Sequence, residues 1–111
     1  MSVKAFAAKL FAKRIHAKTQ KWVINPVETQ QQVFEALIKE AAQTQFGKDH
    51  DFSTIKTFSD FTQKVPVRDY EGLKHYVDKV VKGEENVLWK GKPLYFAKTS
   101  GTTSGAKYIP L

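Results

Sequence analysis

Three stretches of this 111-residue chain carry apolar residues at the three- and four-residue intervals of an α-helix. The first stretch lies within residues 3–22, and its apolar positions are Val3, Phe6, Ala7, Leu10 and Phe11. Side chains spaced in this way share one face of a helix. Residues 1–24 are therefore predicted to form a basic amphipathic helix, with Ser2 as its N-cap and the lysines mostly on the other side.

The second stretch predicts a helix that begins at Asn25-Pro26. Asparagine is a good N-cap, and proline suits the first helical position. The helix is expected to end near Phe46, with Gly47 as a left-handed C-cap. Its predicted core positions are Val33, Phe34, Leu37, Ile38 and Ala41.

The third long helix is predicted between Asp69, its N-cap, and Gly83, its terminator. Its apolar positions are Leu73, Tyr76, Val77, Val80 and Val81. Between the second and third helices, a short helical turn is expected from Ser59 and should end before Pro66. His50 is expected at the surface, because no second histidine lies at the spacing of metal ligands.

After Gly83 the pattern changes to short extended runs. Val87-Leu88-Trp89 and Leu94-Tyr95-Phe96-Ala97 are strand candidates, and Lys90-Gly91-Lys92-Pro93 between them is typical of a hairpin turn. The prediction is an α+β fold with three longer helices and a short C-terminal β-hairpin. It comprises the helix at 1–24, a helical region at 25–83, and a hairpin with a loop at 84–111.

Composition narrows the class of protein. The 8 Phe, 4 Tyr and 2 Trp suit a folded chain, and Trp22, Tyr70, Trp89 and Tyr95 are expected to pack in a core or an interface. The absence of cysteine excludes disulfides and thiolate zinc sites. No apolar run approaches the roughly 20 residues of a membrane span, and lysines interrupt the N-terminal apolar run. No membrane partner is therefore expected, and the cytoplasm is the expected location.

The net charge of +7 is concentrated early in the chain, because six basic residues precede the first acid, Glu28. Such a bias indicates two classes of protein that are not enzymes. One is a small nucleic-acid-binding module, and the other is a helical interaction domain that uses the first helix. A solvated helix face is the simpler interpretation. Nucleic acid is disfavoured as a partner because the aromatic residues mostly fall on predicted core positions.

The candidate chemistry lies in residues 99–107, here called the glycine loop. Small and hydroxylated residues that include two glycines precede a lysine, a composition that can wrap a polyanion. The spacing does not match the Walker A, dinucleotide-binding or serine-hydrolase patterns. The candidate phosphate-binding residues are Thr99, Ser100, Gly101, Thr102, Thr103, Ser104, Gly105 and Lys107.

The glycine loop resembles the first signature of the adenylate-forming superfamily. Ser104 before the second glycine, and Tyr108-Ile109-Pro110 after the lysine, resemble the GH3 family of acyl-acid amido synthetases in particular. The resemblance covers residues from about 33 to 111. Its upstream motifs are Thr44-Gln45-Phe46-Gly47, Phe58-Ser59-Asp60-Phe61 and Val65-Pro66-Val67-Arg68-Asp69-Tyr70-Glu71.

The resemblance implies a ligase that uses ATP and Mg²⁺ to adenylate a carboxylic acid and then transfers the acyl group to an amine such as an amino acid. The loop residues would bind the ATP phosphates, whereas no metal ligand or certain catalytic residue is assigned. Enzymes of this family are several times longer, so an N-terminal fragment that is inactive by itself is expected. The identities of the acid and the amine, and the oligomeric state, are left open by the sequence.

Overall fold

The computed structural model describes residues 1–101 and 105–111, which fall into two compact units, Met1–Phe34 and Glu35–Leu111. The chain contains five α-helices, one 3₁₀ turn at Phe52–Thr54 and two strands among these residues. No helix in the described part is long and apolar enough to cross a membrane. The elements are α1 Val3–Ile24, α2 Pro26–Ala41, α3 Gln45–Asp49, α4 Phe58–Lys64, α5 Tyr70–Val81, β1 Phe96–Lys98 and β2 Tyr108–Pro110.

Helix α1 begins as expected, because the Ser2 hydroxyl accepts a hydrogen bond from the Ala5 amide at 3.2 Å. No residue of α1 is buried. Helical geometry places Arg14 and Lys21 on the same face as Leu10, since they follow it by four and eleven residues. The apolar face of the first turns is therefore interrupted by charge in the second half of the helix.

Helix α2 ends at Ala41, not near Phe46 as the sequence predicts. Gly47 lies inside α3, so its prediction as a left-handed C-cap is wrong. A Cβ on Gly47 would overlap the Ala41 carbonyl oxygen. Glycine is therefore required at position 47 because α3 approaches the end of α2 closely. The backbone of Gly47 is helical, so its conformation alone would accept another residue.

His50 follows α3 and is buried, with 6% of its surface exposed, so the expectation of a surface histidine is wrong. Its Nδ1 lies 2.7 Å from the Phe46 carbonyl oxygen, and its Nε2 lies 2.9 Å from Nη1 of Arg68. A carbonyl oxygen and a guanidinium have fixed roles, so Nδ1 donates and Nε2 accepts. His50 thus carries its proton on Nδ1 and links α3 to the segment before α5.

The predicted short helical turn is α4, and the predicted third long helix is α5. Thr57 and Asp60 form a reciprocal capping box at the start of α4. Asp69 caps α5 by accepting from the Gly72 amide at 2.9 Å, and Gly83 follows the helix with a φ of 98°. The buried face of α5 consists of Tyr76, Val77 and Val80. Tyr76 and Val80 pack with Val87 in a core that Phe46, Leu73 and Leu88 flank.

A two-stranded antiparallel hairpin at the C-terminal end is confirmed, but its first predicted strand is wrong. Residues 87–89 form bends, because the amides of Gln45 and Phe46 at the start of α3 donate to the carbonyl oxygens of Asn86 and Val87 at 2.8 and 2.9 Å. The first turn of a helix has free N–H groups, and here residues 86–87 satisfy two of them. Val87 is held against the core with 2% exposed.

The observed hairpin pairs β1 with β2 in the register Phe96 to Pro110, Ala97 to Ile109 and Lys98 to Tyr108. A hydrogen bond of 3.0 Å from the Leu111 amide to the Tyr95 carbonyl extends the ladder by one pair. The glycine loop is therefore the connection within the hairpin. The sequence had placed that loop after a hairpin.

Candidate functional site

The glycine loop is closed at its base by Thr99 and Lys107. The Thr99 amide donates to the Lys107 carbonyl oxygen at 2.9 Å, and the Lys107 amide donates to the Thr99 hydroxyl at 3.1 Å. These two bonds continue the ladder of β1 and β2 into the loop. Of the predicted phosphate-binding residues, the structure brings Thr99, Ser100, Gly101, Gly105 and Lys107 together. Thr102, Thr103 and Ser104 lie outside the described residues.

The two glycines of the loop adopt left-handed backbone conformations. Gly101 has a φ of 53° and Gly105 a φ of 77°. A Cβ on Gly101 would overlap the Gly105 carbonyl oxygen, whereas a Cβ on Gly105 would meet nothing within 4 Å. Gly101 is thus required both by its backbone angle and by the close approach of the two sides of the loop. Consecutive backbone amides in such conformations can form concavities that bind anions.

Lys107 is half-buried, and its ammonium nitrogen lies 5.4 Å from the centre of the Tyr70 ring. The Tyr70 hydroxyl in turn contacts the backbone of the next residue, Tyr108. It accepts from the Tyr108 amide at 3.0 Å and donates to the Tyr108 carbonyl oxygen at 3.4 Å. The first residue of α5 therefore contacts the strand that directly follows the loop lysine.

The sequence did not single out Tyr70 for this place, since it was expected only to pack in a core or an interface. It is half-buried and hydrogen-bonded to β2. Tyr95 and Trp89, which were expected to be buried, are 71% and 43% exposed. The sequence signals for Tyr70 are its place in the motif of residues 65–71 and its position directly after Asp69, the N-cap of α5.

The electrostatic surroundings of the loop favour an anion. Residues 86–111 include four lysines and no Asp or Glu. Two of these lysines flank the loop: Lys107, and Lys98, whose ammonium lies 5.9 Å from the centre of the Tyr108 ring. Because side chains alternate along a strand, Lys98 and Lys107 lie on opposite faces of the hairpin.

The described residues contain no group of three or more His, Cys, Asp or Glu side chains arranged to hold a metal ion. Their hydroxyls, left-handed glycines and lysines are groups that bind phosphate, whereas Mg²⁺ prefers carboxylate and phosphate oxygens. Among the described residues, the loop thus offers donor groups and positive charge, but no protein ligand set for a metal.

A separate, mainly apolar cavity of about 450 Å³ lies beside the hairpin. Val80 and Val87 form one part of its lining, and Trp89, Leu94 and Leu111 form another. None of its lining residues belongs to the described part of the glycine loop. The cavity and the loop are thus distinct features of the second unit.

Comparisons with known proteins agree with one another on the family to which this chain is similar. The model of the GH3 family N-terminal domain matches residues 15–111. Indole-3-acetic acid-amido synthetase GH3.15 of Arabidopsis thaliana is 33% identical over 89 residues, which cover 78% of this chain and 15% of that protein. Indole-3-acetic acid-amido synthetase GH3.2 of the same plant is 27% identical over 86 residues, covering 77% of this chain and 16% of that protein. No solved structure matches the chain.

Proposed function

This chain belongs to the GH3 family, and we propose that it is the N-terminal part of an ATP-dependent acid-amido synthetase. The matched relatives are named as amido synthetases, and the chain spans about 15% of the length of GH3.15. The observation that carries the proposal is the loop closed by Thr99 and Lys107, with left-handed glycines and no acid within residues 86–111. A cytoplasmic location, where ATP is abundant, fits this function.

The proposed reaction has two steps. In the first, a carboxylate oxygen bonds to the α-phosphorus of ATP, the bond to the β-phosphate oxygen breaks, and pyrophosphate leaves. In the second, an amine nitrogen, for example that of an amino acid, bonds to the acyl carbon and loses a proton while AMP leaves with the former carboxylate oxygen. Negative charge develops on phosphate oxygens in the first step, so donors fixed beforehand would lower its barrier.

The loop residues have distinct proposed parts in that step. Lys107 supplies a full positive charge to the phosphates, and Gly101 and Gly105 let backbone amides approach them. The hydroxyls of Ser100, Thr102, Thr103 and Ser104 are proposed as further donors, as the family resemblance implies. Thr99 has a different part, because its hydroxyl already accepts from the Lys107 amide and so shapes the base of the loop.

Mg²⁺ remains an implication of the family resemblance. The described residues offer it no ligand set, so no step of the mechanism is assigned to it here.

The phosphate-binding part of the proposal can be tested with the 111-residue chain itself. ATP is titrated into isotope-labelled protein, and backbone amide shifts are followed by NMR. Shifts that concentrate in residues 98–108, and that weaken strongly in Lys107→Ala but little in Lys92→Ala, are expected. Lys92 is the matched control because it lies in the same acid-free stretch outside the loop. Shifts spread over the basic residues of α1 instead would contradict the proposal.

The ligase activity requires a second experiment. The isolated chain is expected to show no acid-dependent exchange between ATP and pyrophosphate, since it corresponds to a small part of the relatives. We therefore propose a chimera in which the segment of this chain that aligns with the Arabidopsis thaliana GH3.15 synthetase over 89 residues replaces the matched segment of that enzyme. Exchange that depends on the acid and falls in the Lys107→Ala chimera supports the function. Exchange by the chimera that does not change in Lys107→Ala contradicts the part assigned to this loop.

A further inference from the structure

We propose that Tyr70 is a positioning residue for the glycine loop: its hydroxyl fixes β2 and its ring fixes the ammonium group of Lys107. The inference rests on the proposed function, in which Lys107 binds phosphate. Tyr70 itself is assigned no contact with substrate. It acts through the strand and the lysine.

One edge of β2 faces away from β1 and is contacted by Tyr70. Because the Thr99 amide bonds to the Lys107 carbonyl, the next pair along, Lys98 and Tyr108, is a non-hydrogen-bonded pair of the antiparallel ladder. The backbone N–H and C=O of Tyr108 therefore point away from β1. The Tyr70 hydroxyl contacts both groups, at 3.0 and 3.4 Å. One side chain thus supplies at this edge the two hydrogen bonds that a third strand would provide.

Lys107 is the residue directly before Tyr108, and Tyr70 contacts it as well. Its backbone is held by Thr99 on the side of β1, and its ammonium nitrogen lies 5.4 Å from the centre of the Tyr70 ring. A cation at that distance from an aromatic face is attracted to it. Tyrosine combines the ring and the hydroxyl, whereas phenylalanine keeps only the ring and leucine keeps neither. The two contacts can therefore be separated by substitution.

Tyr70 is itself held in place by the helix to which it belongs. It is the first residue of α5, whose N-terminus is capped by the Asp69 carboxylate. The same helix is held in the core by Tyr76, Val77 and Val80, all at least 95% buried. Packed helices move little relative to their core. Through Tyr70, helix α5 therefore holds β2 and Lys107 in a fixed position relative to the core of the second unit.

The test compares Tyr70→Phe and Tyr70→Leu in the 111-residue chain, with Tyr95→Phe as the matched control. Tyr95 is exposed, and the hydrogen bond shown for it is made by its backbone carbonyl, so removing its hydroxyl should change neither readout. The first readout, hydrogen exchange of the Tyr108 amide, is independent of ATP. We expect that amide to exchange about tenfold faster in Tyr70→Phe, because one backbone hydrogen bond is lost, while the amides of α5 keep their protection.

The second readout is the dissociation constant for ATP from the NMR titration. We expect affinity about fivefold weaker in Tyr70→Phe and about threefold weaker again in Tyr70→Leu, where the cation–ring contact is also lost. If ATP binds normally and neither variant changes exchange or affinity, the positioning role is wrong. If the Tyr108 amide depends on Tyr70 but the unaltered chain binds no ATP, the proposed function fails and the structural link stands. A Tyr70→Leu variant with the affinity of Tyr70→Phe rejects the contact between the ring and Lys107.

Discussion

The hydroxyl of Thr44 donates a hydrogen bond of 2.7 Å to the carbonyl oxygen of Ala41. The same hydroxyl accepts from the Gly47 amide at 3.0 Å, so it joins the last residue of α2 to the first turn of α3. Thr44 is only 1% exposed, which makes it the most completely buried polar side chain among the described residues. This buried hydroxyl therefore reinforces the turn between the two helices, where the Thr44 amide also donates to the Ala41 carbonyl oxygen at 3.0 Å.

Replacing Thr44 by valine is expected to destabilise the chain by about 2 kcal/mol, because the buried Gly47 amide loses its partner and the Ala41 carbonyl oxygen keeps only the Thr44 amide, while the side-chain volume is kept. The midpoint of urea unfolding measures this change. Thr44→Ser keeps the hydroxyl and is the control, with an expected loss of about 1 kcal/mol for the missing methyl group. Equal stability of the valine variant and the unaltered chain would show that the hydroxyl contributes nothing.

Substituting Gly47 by alanine is expected to destabilise the second unit by about 3 kcal/mol. The new Cβ would overlap the Ala41 carbonyl oxygen and crowd the Ala41 carbonyl carbon at 2.9 Å, and backbone atoms cannot rotate away as a side chain can. Lys48→Ala, in the same helix and exposed, is the control and should change stability little. An alanine variant with unchanged unfolding would mean that α3 can move away from α2 at little cost.

The sequence predicted α5 from Asp69 to Gly83 because an N-cap, an apolar periodicity and a glycine terminator are all local signals. It failed for Gly47, since the reason for that glycine is the approach of Ala41, and a local pattern does not distinguish a close contact from a left-handed cap. The prediction for His50 failed for a similar reason. The buried histidine is hydrogen-bonded to Arg68, which lies 18 residues away in the sequence and gives no local signal.

The strands show the same difference between local signals, which the sequence pattern reveals, and contacts between distant residues, which it does not. Two short apolar runs predicted a hairpin between residues 87–89 and 94–97, but the carbonyls of Asn86 and Val87 are taken by amides of α3, and β1 pairs with β2 instead. The choice of partner depends on contacts about 40 residues apart. The glycine loop could be proposed from its composition and its resemblance to a family. The hydrogen bond between Tyr70 and Tyr108, the residue that directly follows the loop and lies 38 positions later in the chain, could not.

A third prediction concerns Tyr76 at high pH. Burial, and then the hydrogen bond of 2.8 Å to the Asp49 carboxylate, raise the pKa of Tyr76 from 10.0 to about 12. A raised pKa means that the folded state favours the neutral phenol, so this contribution to stability is complete below pH 10 and is lost as the pH rises towards 12. The absorbance of tyrosinate should show one of the four tyrosines ionising late.

Two variants assign that late ionisation. Tyr76→Phe should remove it, and Asp49→Asn should lower the pKa only in part, because burial is the larger cause. If Tyr76 of the unaltered, folded chain ionises at the ordinary pKa of 10.0, neither its burial nor its contact with Asp49 exists in solution as described.

The last prediction uses the two glycines of the loop as a matched pair. Gly101 and Gly105 both have positive φ values, so an alanine at either position carries the same kind of backbone strain, about 1 kcal/mol. Only at Gly101 does the new Cβ also overlap another part of the loop, the Gly105 carbonyl oxygen.

Gly101→Ala should therefore separate the two sides of the loop, speed hydrogen exchange at the Thr99 and Lys107 amides, and weaken ATP binding at least tenfold. Gly105→Ala should weaken it less, and Gly91→Ala, with the same φ of 77° outside the loop, should leave it unchanged. If Gly101→Ala and Gly105→Ala have equal effects, backbone strain alone explains them, and the close approach within the loop has no part in binding.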